Sequence, residues 1–167
     1  MDLIVTSGFG GAWLDWGAGP RRCAIGPAGI GTKTGEGDGV TPRGEYPIRE
    51  VFYRPDRVKN LQIALPLRKI APDDGWCDAG GDPNYNRLVK LPYPASAEKM
   101  WRDDRLYDVV AVIGYNDDPV VPGKGSAIFL HYAKPDYAPT EGCVALKRED
   151  LVEALEQLAP GDRIIIR

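Results

Sequence analysis

Glycine and proline interrupt this chain so often that they leave little room for long regular elements. The chain has 20 glycines and 15 prolines in 167 residues, about a fifth of its length against an average usage of roughly 12%. The segments between them are short and rich in β-branched and aromatic residues, which is typical of strands bounded by turns. Seven segments of this kind predict strands, at residues 3–5, 22–25, 44–48, 87–91, 109–113, 127–130 and 163–166.

Two segments have the composition of short helices. Residues 96–101 begin with Ser96, a residue type favoured at helix N-caps. In residues 147–158, apolar side chains recur at helical spacing, namely Leu151, Ala154, Leu155 and Leu158. A proline and a glycine follow this segment and end the helix. Together the patterns predict one mainly β domain over residues 1–167, with one or two short helices.

Charge and hydropathy exclude several classes of partner. Lys and Arg number 21 against 24 Asp and Glu, a formal net charge of -3, with no basic stripe to hold a phosphate backbone. Apolar runs such as residues 109–113 are far shorter than the roughly 20 residues of a membrane span. The first residues have neither the basic start nor the apolar core of an export signal. We therefore expect no nucleic-acid partner, no membrane span and no visible export signal.

Three cysteines, Cys23, Cys77 and Cys143, are too few for a disulfide scaffold, and their odd number leaves at least one thiol free. A bridge between Cys23 and Cys77 is one alternative, and buried reduced cysteines are the commoner outcome. Cys77, His131 and Cys143 could also be three metal ligands, but the paired C-x-x-C spacing of such sites is missing. We expect no metal site.

A glycine-rich stretch at residues 26–44 is the segment that we expect to be most flexible. Residues 26–34 resemble a phosphate-binding loop at first sight. That motif requires Lys directly after its last glycine and a helix after the loop. Here Thr32 separates Gly31 from Lys33, and Pro42 lies in the following segment. Nucleotide binding is therefore not predicted.

His131, the only histidine, ends an apolar strand, and Cys143 follows twelve positions later, directly after Gly142. A thiol is mostly protonated at neutral pH, so a catalytic cysteine needs a base close by. A glycine lets the backbone turn sharply, so that the N–H groups of Gly142 and Cys143 can face a developing oxyanion. A buried structural cysteine and a hydrogen-bonded surface histidine remain the alternative.

Two motifs of the chain resemble those of the L,D-transpeptidase (YkuD-type) catalytic domain. One is His131 followed by Thr140-Glu141-Gly142-Cys143, and the other is the Asp38-Gly39-Val40-Thr41-Pro42-Arg43-Gly44-Glu45-Tyr46 segment. Further segments, at residues 75–78, 83–86 and 114–117, resemble those of small single-domain bacterial members. The resemblance runs through nearly the whole chain and implies a β-sandwich of mixed sheets.

The chain departs from the family pattern at two positions beside the nucleophile. Glu141 stands where most members have a second histidine, and Ala145 stands where they have an arginine. In the family these two residues are associated with the oxyanion and with carboxylates of the substrate. The departures therefore leave the choice of substrate open.

The resemblance implies a mechanism without a metal or an organic cofactor. Cys143 attacks a carbonyl of a peptidoglycan stem peptide, and His131 takes its proton or holds a thiolate–imidazolium pair. The carbonyl oxygen of Tyr132 orients the imidazole, and backbone N–H groups of Gly142 and Cys143 stabilise the oxyanion. An amine of a second stem peptide then resolves the thioester into a cross-link, or water hydrolyses it.

Eight further residues are candidates for contact with the substrate: Arg43, Tyr137, Thr140, Glu141, Lys124, Ser126, Tyr85 and Asn86. Arg43 can form a bidentate pair with a carboxylate, and a solvated surface position is the alternative. Tyr137, Thr140 and Glu141 border the nucleophile in a loop, where binding residues concentrate, and loop packing is the alternative. The other four hold substrate or have no functional role. Trp76 is expected in the core.

The sequence thus predicts a peptidoglycan L,D-transpeptidase that cross-links stem peptides as donor and acceptor. We expect it to act as a monomer in the periplasm or cell envelope, because its substrate is there. An L,D-carboxypeptidase or amidase with the same thiol, and a catalytically silent peptidoglycan-binding module, are the alternatives. A papain-like protease has its cysteine early and its histidine late, the opposite of the order here.

Overall fold

The computed structural model of the protein describes all 167 residues. Its regular elements are short strands and one helix. The strands are β1 (Asp2–Gly8), β2 (Gly11–Asp15), β3 (Arg21–Cys23), β4 (Ile30–Gly31), β5 (Thr41–Pro42), β6 (Gly44–Tyr53), β7 (Leu67–Lys69), β8 (Asp74–Cys77), β9 (Leu88–Lys90), β10 (Ala97–Lys99), β11 (Val109–Ile113), β12 (Phe129–Tyr132), β13 (Val144–Leu146) and β14 (Arg163–Ile166). The helix is α1 (Arg148–Gln157), and a 3₁₀ turn covers Pro135–Tyr137.

Most strands join one mixed sheet in the order β13-β12-β11-β6-β14-β1-β2-β3, with β7 beside β6. The pairs β1–β14, β6–β7 and β12–β13 are parallel. The two ends of the sheet meet, because Ala24 and Ala145 exchange backbone hydrogen bonds of 2.7 and 2.9 Å. The sheet thereby closes around a core of 25 buried residues, and it brings the chain after β3 beside the chain before β13.

Strand β11 lies between two apolar cores, so both of its faces are buried. Val109, Ala111 and Ile113 belong to the larger core, and Val110 and Val112 belong to a second core of nine residues. Successive residues of a strand point to opposite faces, so a strand buried on both sides has a continuous apolar sequence. The uninterrupted run at residues 109–113 reflects this position.

The second core lies under a small sheet of order β10-β8-β9. Trp76 of β8 meets Phe129 of β12 edge to face, with 5.1 Å between the ring centroids. Cys143 is also one of the nine residues of this core. The small sheet therefore covers the face of the main sheet on which Cys143 lies.

Helix α1 packs against β12 and β13. Its buried apolar side chains are Leu151, Ala154 and Leu155, and Leu158 follows the helix and is also buried. Each fully buried leucine contributes about 1.5–3 kcal/mol of transfer free energy. Glu149 lies in the first turn, where a negative charge interacts favourably with the helix dipole. The helix thus holds the two strands that carry His131 and lead away from Cys143.

The mainly β class with mixed sheets is confirmed. Each of the seven predicted strand segments contains strand residues, and the helix predicted at residues 147–158 is α1. The helix predicted at residues 96–101 is wrong, because this segment contains β10. Ala97 pairs with Cys77 of β8, and Met100 is fully buried. Six residues are too few for a helix that is stable without packing, and pairing with β8 determines the conformation instead.

Two other expectations concern the glycine-rich stretch and the cysteines, which are expected to be mostly buried and reduced. Residues 26–44 form a hydrogen-bonded loop in which Ala28 N–H donates to Gly39 O at 3.0 Å and Thr41 N–H donates to Gly29 O at 2.9 Å. The three cysteines are buried thiols, and Cys23 and Cys77 are not bridged. No helix has the length and apolar character needed to cross a membrane.

Candidate active site

A cleft of about 220 Å³ lies at the boundary between the main sheet and the small sheet. Five of the sequence-predicted residues line it: Cys143, His131, Ser126, Thr140 and Glu141. Its other charged lining residues are Lys33, Glu36, Asp78, Glu98, Arg102 and Lys134. The cleft therefore combines a thiol, an imidazole and charges of both signs.

The register of β12 and β13 places the thiol and the imidazole on one face of the sheet. The strands are parallel, with Leu130 opposite Val144 and His131 opposite Ala145. Side chains at paired positions of neighbouring strands point to the same face. Cys143 precedes Val144 by one residue and so lies on the face that carries Ala145 and His131.

His131 is fixed by its own strand. Its Nδ1 atom lies 2.8 Å from the carbonyl oxygen of Tyr132, and since a carbonyl only accepts, Nδ1 carries the proton and Nε2 is free to accept one. The ring also lies 5.3 Å, centroid to centroid, from the ring of Tyr107. Burial lowers the pKa of His131 to about 4, against a smaller opposing effect of the Tyr132 carbonyl. At neutral pH the imidazole is therefore uncharged, and its Nε2 atom can accept a proton.

The sulfur of Cys143 is held by backbone groups of the chain that leads into β12. The thiol donates to Ala127 O at 3.2 Å, and Phe129 N–H donates to Sγ at 3.3 Å. Burial raises the pKa of the thiol to about 12, and the negative charge of Glu98 adds to this. The resting pair is therefore a neutral thiol beside a neutral imidazole. Of the two states considered from the sequence, proton transfer during attack fits this geometry better than a preformed ion pair.

The turn before Cys143 depends on Thr140 and Gly142. Thr140 Oγ1 donates to Cys143 O at 2.6 Å and accepts from Gly142 N–H at 3.1 Å. Gly142 has φ +129°, and a Cβ atom there would lie 2.8 Å from Val40 O. Only glycine fits this position. Because the Gly142 N–H donates to Thr140 Oγ1, it is not free to stabilise an oxyanion. Of the two predicted oxyanion donors, only the Cys143 N–H remains.

Asn86 lies behind the cleft and does not line it, in contrast to its predicted role in substrate contact. Its Oδ1 accepts from Trp76 Nε1 at 2.9 Å and from Ala127 N–H at 3.0 Å. Its Nδ2 donates to the carbonyl oxygens of Tyr115 and Asn116. All four hydrogen-bonding positions of the side chain are thus used within the protein. Asn86 holds the Ala127 peptide, which in turn holds the Cys143 thiol.

Tyr85 is also behind the cleft, although it contacts the wall. Its hydroxyl donates to Glu36 Oε1 at 2.5 Å and accepts from Gly125 N–H at 2.9 Å. Ser126 Oγ donates to the same Glu36 oxygen at 2.6 Å. Ser126 and Glu36 line the cleft, so the three residues form one wall of which Tyr85 is the buried support.

Three predicted substrate residues lie outside the cleft. Arg43 is exposed, with its guanidinium 3.5 Å from Ile30 O. Lys124 is exposed on the loop before β12. The Arg22 guanidinium lies over the ring of Tyr137, 4.8 Å from the ring centroid, and Tyr137 lines a neighbouring groove. For these positions the structural alternatives considered from the sequence fit better.

Sequence analysis missed Glu98, Arg102 and Tyr107, which all line the cleft. The Tyr107 hydroxyl donates to Glu98 Oε1, and burial raises the pKa of this carboxyl group. The Arg102 guanidinium lies 5.0 Å from the Tyr107 ring centroid. Glu98 lay inside the wrongly predicted helix, so its place on β10 beside the nucleophile was not visible from the sequence.

A comparison with protein-family models finds one match, which covers residues 15–166 and is described as the YkuD L,D-transpeptidase catalytic domain. No curated protein and no solved structure gives a significant match. The matched residues contain the whole cleft.

Proposed function

Since this chain belongs to the YkuD family of L,D-transpeptidase catalytic domains, we propose that it cross-links peptidoglycan stem peptides through a thioester on Cys143, with His131 as general base. The single observation that carries this proposal is the placement of Cys143 and His131 on one face of two paired parallel strands. The donor and the acceptor are both stem peptides, so the site of action is the cell envelope.

In the first half-reaction, Cys143 Sγ attacks the carbonyl carbon of the donor and its proton passes to His131 Nε2. The Tyr132 carbonyl holds the Nδ1 proton at 2.8 Å and keeps Nε2 available for this transfer. The tetrahedral intermediate then collapses, the C–N bond breaks, and the departing amine takes the proton from His131. General acid–base catalysis of this kind contributes typically 10²–10⁴-fold.

The second half-reaction needs an acceptor, and the carboxylates of the cleft favour an amine over water. The negative charges of Glu98 and Glu141 raise the pKa of Cys143, which works against the nucleophile in the free protein. In addition, Asp78 Oδ1 is buried without a hydrogen-bond partner. An acceptor that arrives as an ammonium group would offset both costs. It attacks the thioester after losing one proton to solvent. As the new C–N bond forms and the Sγ–C bond breaks, its second proton passes through His131 Nε2 to the departing Cys143 sulfur.

Product analysis after incubation with purified stem-peptide muropeptides tests this proposal. Dimeric products from the native protein, absent with Cys143→Ala, support transfer. Shortened monomers without dimers would support an L,D-carboxypeptidase instead. Unchanged muropeptides across several donors, together with wall binding that survives in Cys143→Ala, would support a silent binding module.

A further inference from the structure

Lys33 is a buried lysine in the wall of the cleft that holds Cys143. Its side chain is only 2% exposed. Its Nζ atom donates to Asp38 Oδ1 at 2.6 Å and to Val40 O at 3.2 Å. An ammonium group has three N–H donors, so one remains for a group that enters the cleft. Burying a charge is costly unless it is paired, and Asp38 supplies the pair.

The loop around Lys33 holds the ammonium group in a fixed position. Besides Lys33, Asp38 accepts the N–H groups of Thr34 at 2.8 Å and Val40 at 3.0 Å. Burial opposes ionisation of Asp38, but these hydrogen bonds outweigh it and hold its pKa well below the usual range. The glycine-rich stretch that resembles a phosphate loop thus forms a rigid mount for one cation.

This mount lies directly against the turn before the nucleophile. A Cβ atom on Gly26 would lie 2.1 Å from Gly39 O and 3.3 Å from Gly142 Cα, so the three backbones are in close contact. A Cβ atom on Gly142 would lie 3.3 Å from Lys33 Nζ. Among the three cations of the cleft, Lys33 alone is buried, since Arg102 is half-buried and Lys134 is exposed.

Of the two backbone N–H groups predicted to stabilise the oxyanion, only that of Cys143 is free, and Lys33 can supply a second donor. The Gly142 N–H is bonded to Thr140, and Glu141 and Ala145 carry no positive charge. We propose that Lys33 is a catalytic residue, whose ammonium group stabilises the oxyanion that forms when Cys143 attacks a carbonyl. This inference rests on the proposed acyl-transfer function of Cys143.

The step is balanced without a further reactant. The Sγ–C bond forms, the carbonyl π electrons move to oxygen, and the thiol proton goes to His131. Lys33 transfers no proton and acts through its charge and its third N–H. When the oxyanion collapses, the bond to the leaving group breaks and the carbonyl returns. Loss of one oxyanion donor costs about 10²–10³-fold in rate in other acyl-transfer enzymes.

Two reagents for the thiol separate this role from a structural one. Acylation by p-nitrophenyl acetate passes through a tetrahedral oxyanion, whereas alkylation by iodoacetamide is a displacement that forms none. Rates at Cys143 are measured with both reagents, with Cys143→Ala as the background. We expect Lys33→Met to lower the acylation rate at least tenfold more than the alkylation rate. Lys33→Arg, which keeps the charge, should recover most of the loss.

Three more variants complete the test. Asp38→Asn breaks the same ion pair and loosens the mount but leaves the ammonium group, so its ratio of acylation to alkylation should fall, by no more than the ratio of Lys33→Met does. If Lys33→Met does not fold, Lys33→Met/Asp38→Asn removes both charges and should show the same lowered ratio. Lys69→Met removes a charge on exposed β7 and should change nothing. An unchanged ratio in Lys33→Met, or a fall in Lys69→Met as large as in Lys33→Met, would overturn the proposal.

The outcome is independent of the natural substrate. If the native protein reacts with p-nitrophenyl acetate but leaves muropeptides intact, the peptidoglycan function fails while the role of Lys33 is still decided by the ratio. If muropeptides are cross-linked and the ratio is unchanged in Lys33→Met, only the role of Lys33 fails.

Discussion

The side-chain oxygen of Asn86 accepts a hydrogen bond from the backbone N–H of Ala127 at 3.0 Å. Ala127 has φ +53°, a conformation that is costly for a non-glycine residue. Its carbonyl accepts a hydrogen bond from the Cys143 thiol. A buried amide thus holds a strained peptide, and that peptide orients the nucleophile.

Asn86→Ala should therefore lower both stability and activity. It leaves the Trp76 indole N–H and the Ala127 N–H without their acceptor, and each buried unsatisfied group costs about 1–3 kcal/mol. Chemical denaturation with near- and far-UV circular dichroism gives the free energy of unfolding. Asn84→Ala is the matched control, because Asn84 is exposed and its amide donates only to the Tyr93 hydroxyl. Equal stabilities of the two variants would contradict the assigned role of Asn86.

Gly142→Ala should abolish acyl transfer. The substitution adds a Cβ atom 2.8 Å from the Val40 carbonyl at φ +129°, where an L-residue costs on the order of 1–3 kcal/mol of strain. Acylation rates measure the loss, and Gly8→Ala, which has open space around its Cβ position, is the control. A Gly142→Ala variant with native acylation would show that the turn has room to move.

On the acidic side, kcat/KM should fall with an apparent pKa near 4. His131 must be neutral to accept the thiol proton, and burial lowers its pKa to about 4 from an ordinary value of about 6.5. Protonation at low pH removes the base, so kcat/KM should stay constant from pH 7 down to about 5 and fall below that. The full pH dependence of kcat/KM measures this limb. A fall centred on pH 6.5 would mean that the imidazole is accessible to solvent.

The same shift predicts how stability depends on pH. The pKa of His131 is lower in the folded chain than in the unfolded chain, so the unfolded state binds more protons as the pH falls through 6.5 toward 4. This residue therefore destabilises the fold progressively in that window. His131→Gln should be less sensitive to acid than the native protein there. Denaturation curves at pH 7 and pH 4.5 measure the difference, and parallel losses in both proteins would contradict burial of the imidazole.

Glu98→Gln should shift the reaction from transfer toward hydrolysis. The change removes a negative charge beside Cys143, so the pKa of the thiol should fall and alkylation by iodoacetamide should become faster. Binding of an ammonium acceptor should weaken, so the ratio of dimers to shortened monomers should decrease. Glu153→Gln, on the exposed face of α1, is the charge-matched control. A faster alkylation with an unchanged product ratio would separate Glu98 from the acceptor.

Local sequence patterns predicted the elements whose packing agrees with their composition. The apolar run at residues 109–113 predicted a strand correctly, and the helical spacing of Leu151 and Leu155 predicted a helix correctly. In both segments the apolar residues of the local pattern are the ones that the fold buries. Residues 96–101 did not, since pairing of Ala97 with Cys77, two strands away in sequence, determines β10.

The candidate site was predictable only in part for the same reason. His131 and Cys143 stand out because one is the only histidine and the other follows a glycine. Only the fold brings the small sheet and the glycine-rich loop beside the nucleophile. These two segments carry Asn86, Glu98 and Lys33. Their roles depend on contacts between residues distant in sequence, which local patterns do not encode.

The central claim is that Cys143 carries the acyl group, and intact-protein mass spectrometry during incubation with a stem-peptide donor tests it most directly. The account predicts an adduct with the mass of the acyl fragment on the native protein, reversed by hydroxylamine. It predicts no adduct with Cys143→Ala and much slower formation with His131→Ala. An adduct that persists in Cys143→Ala would contradict the account.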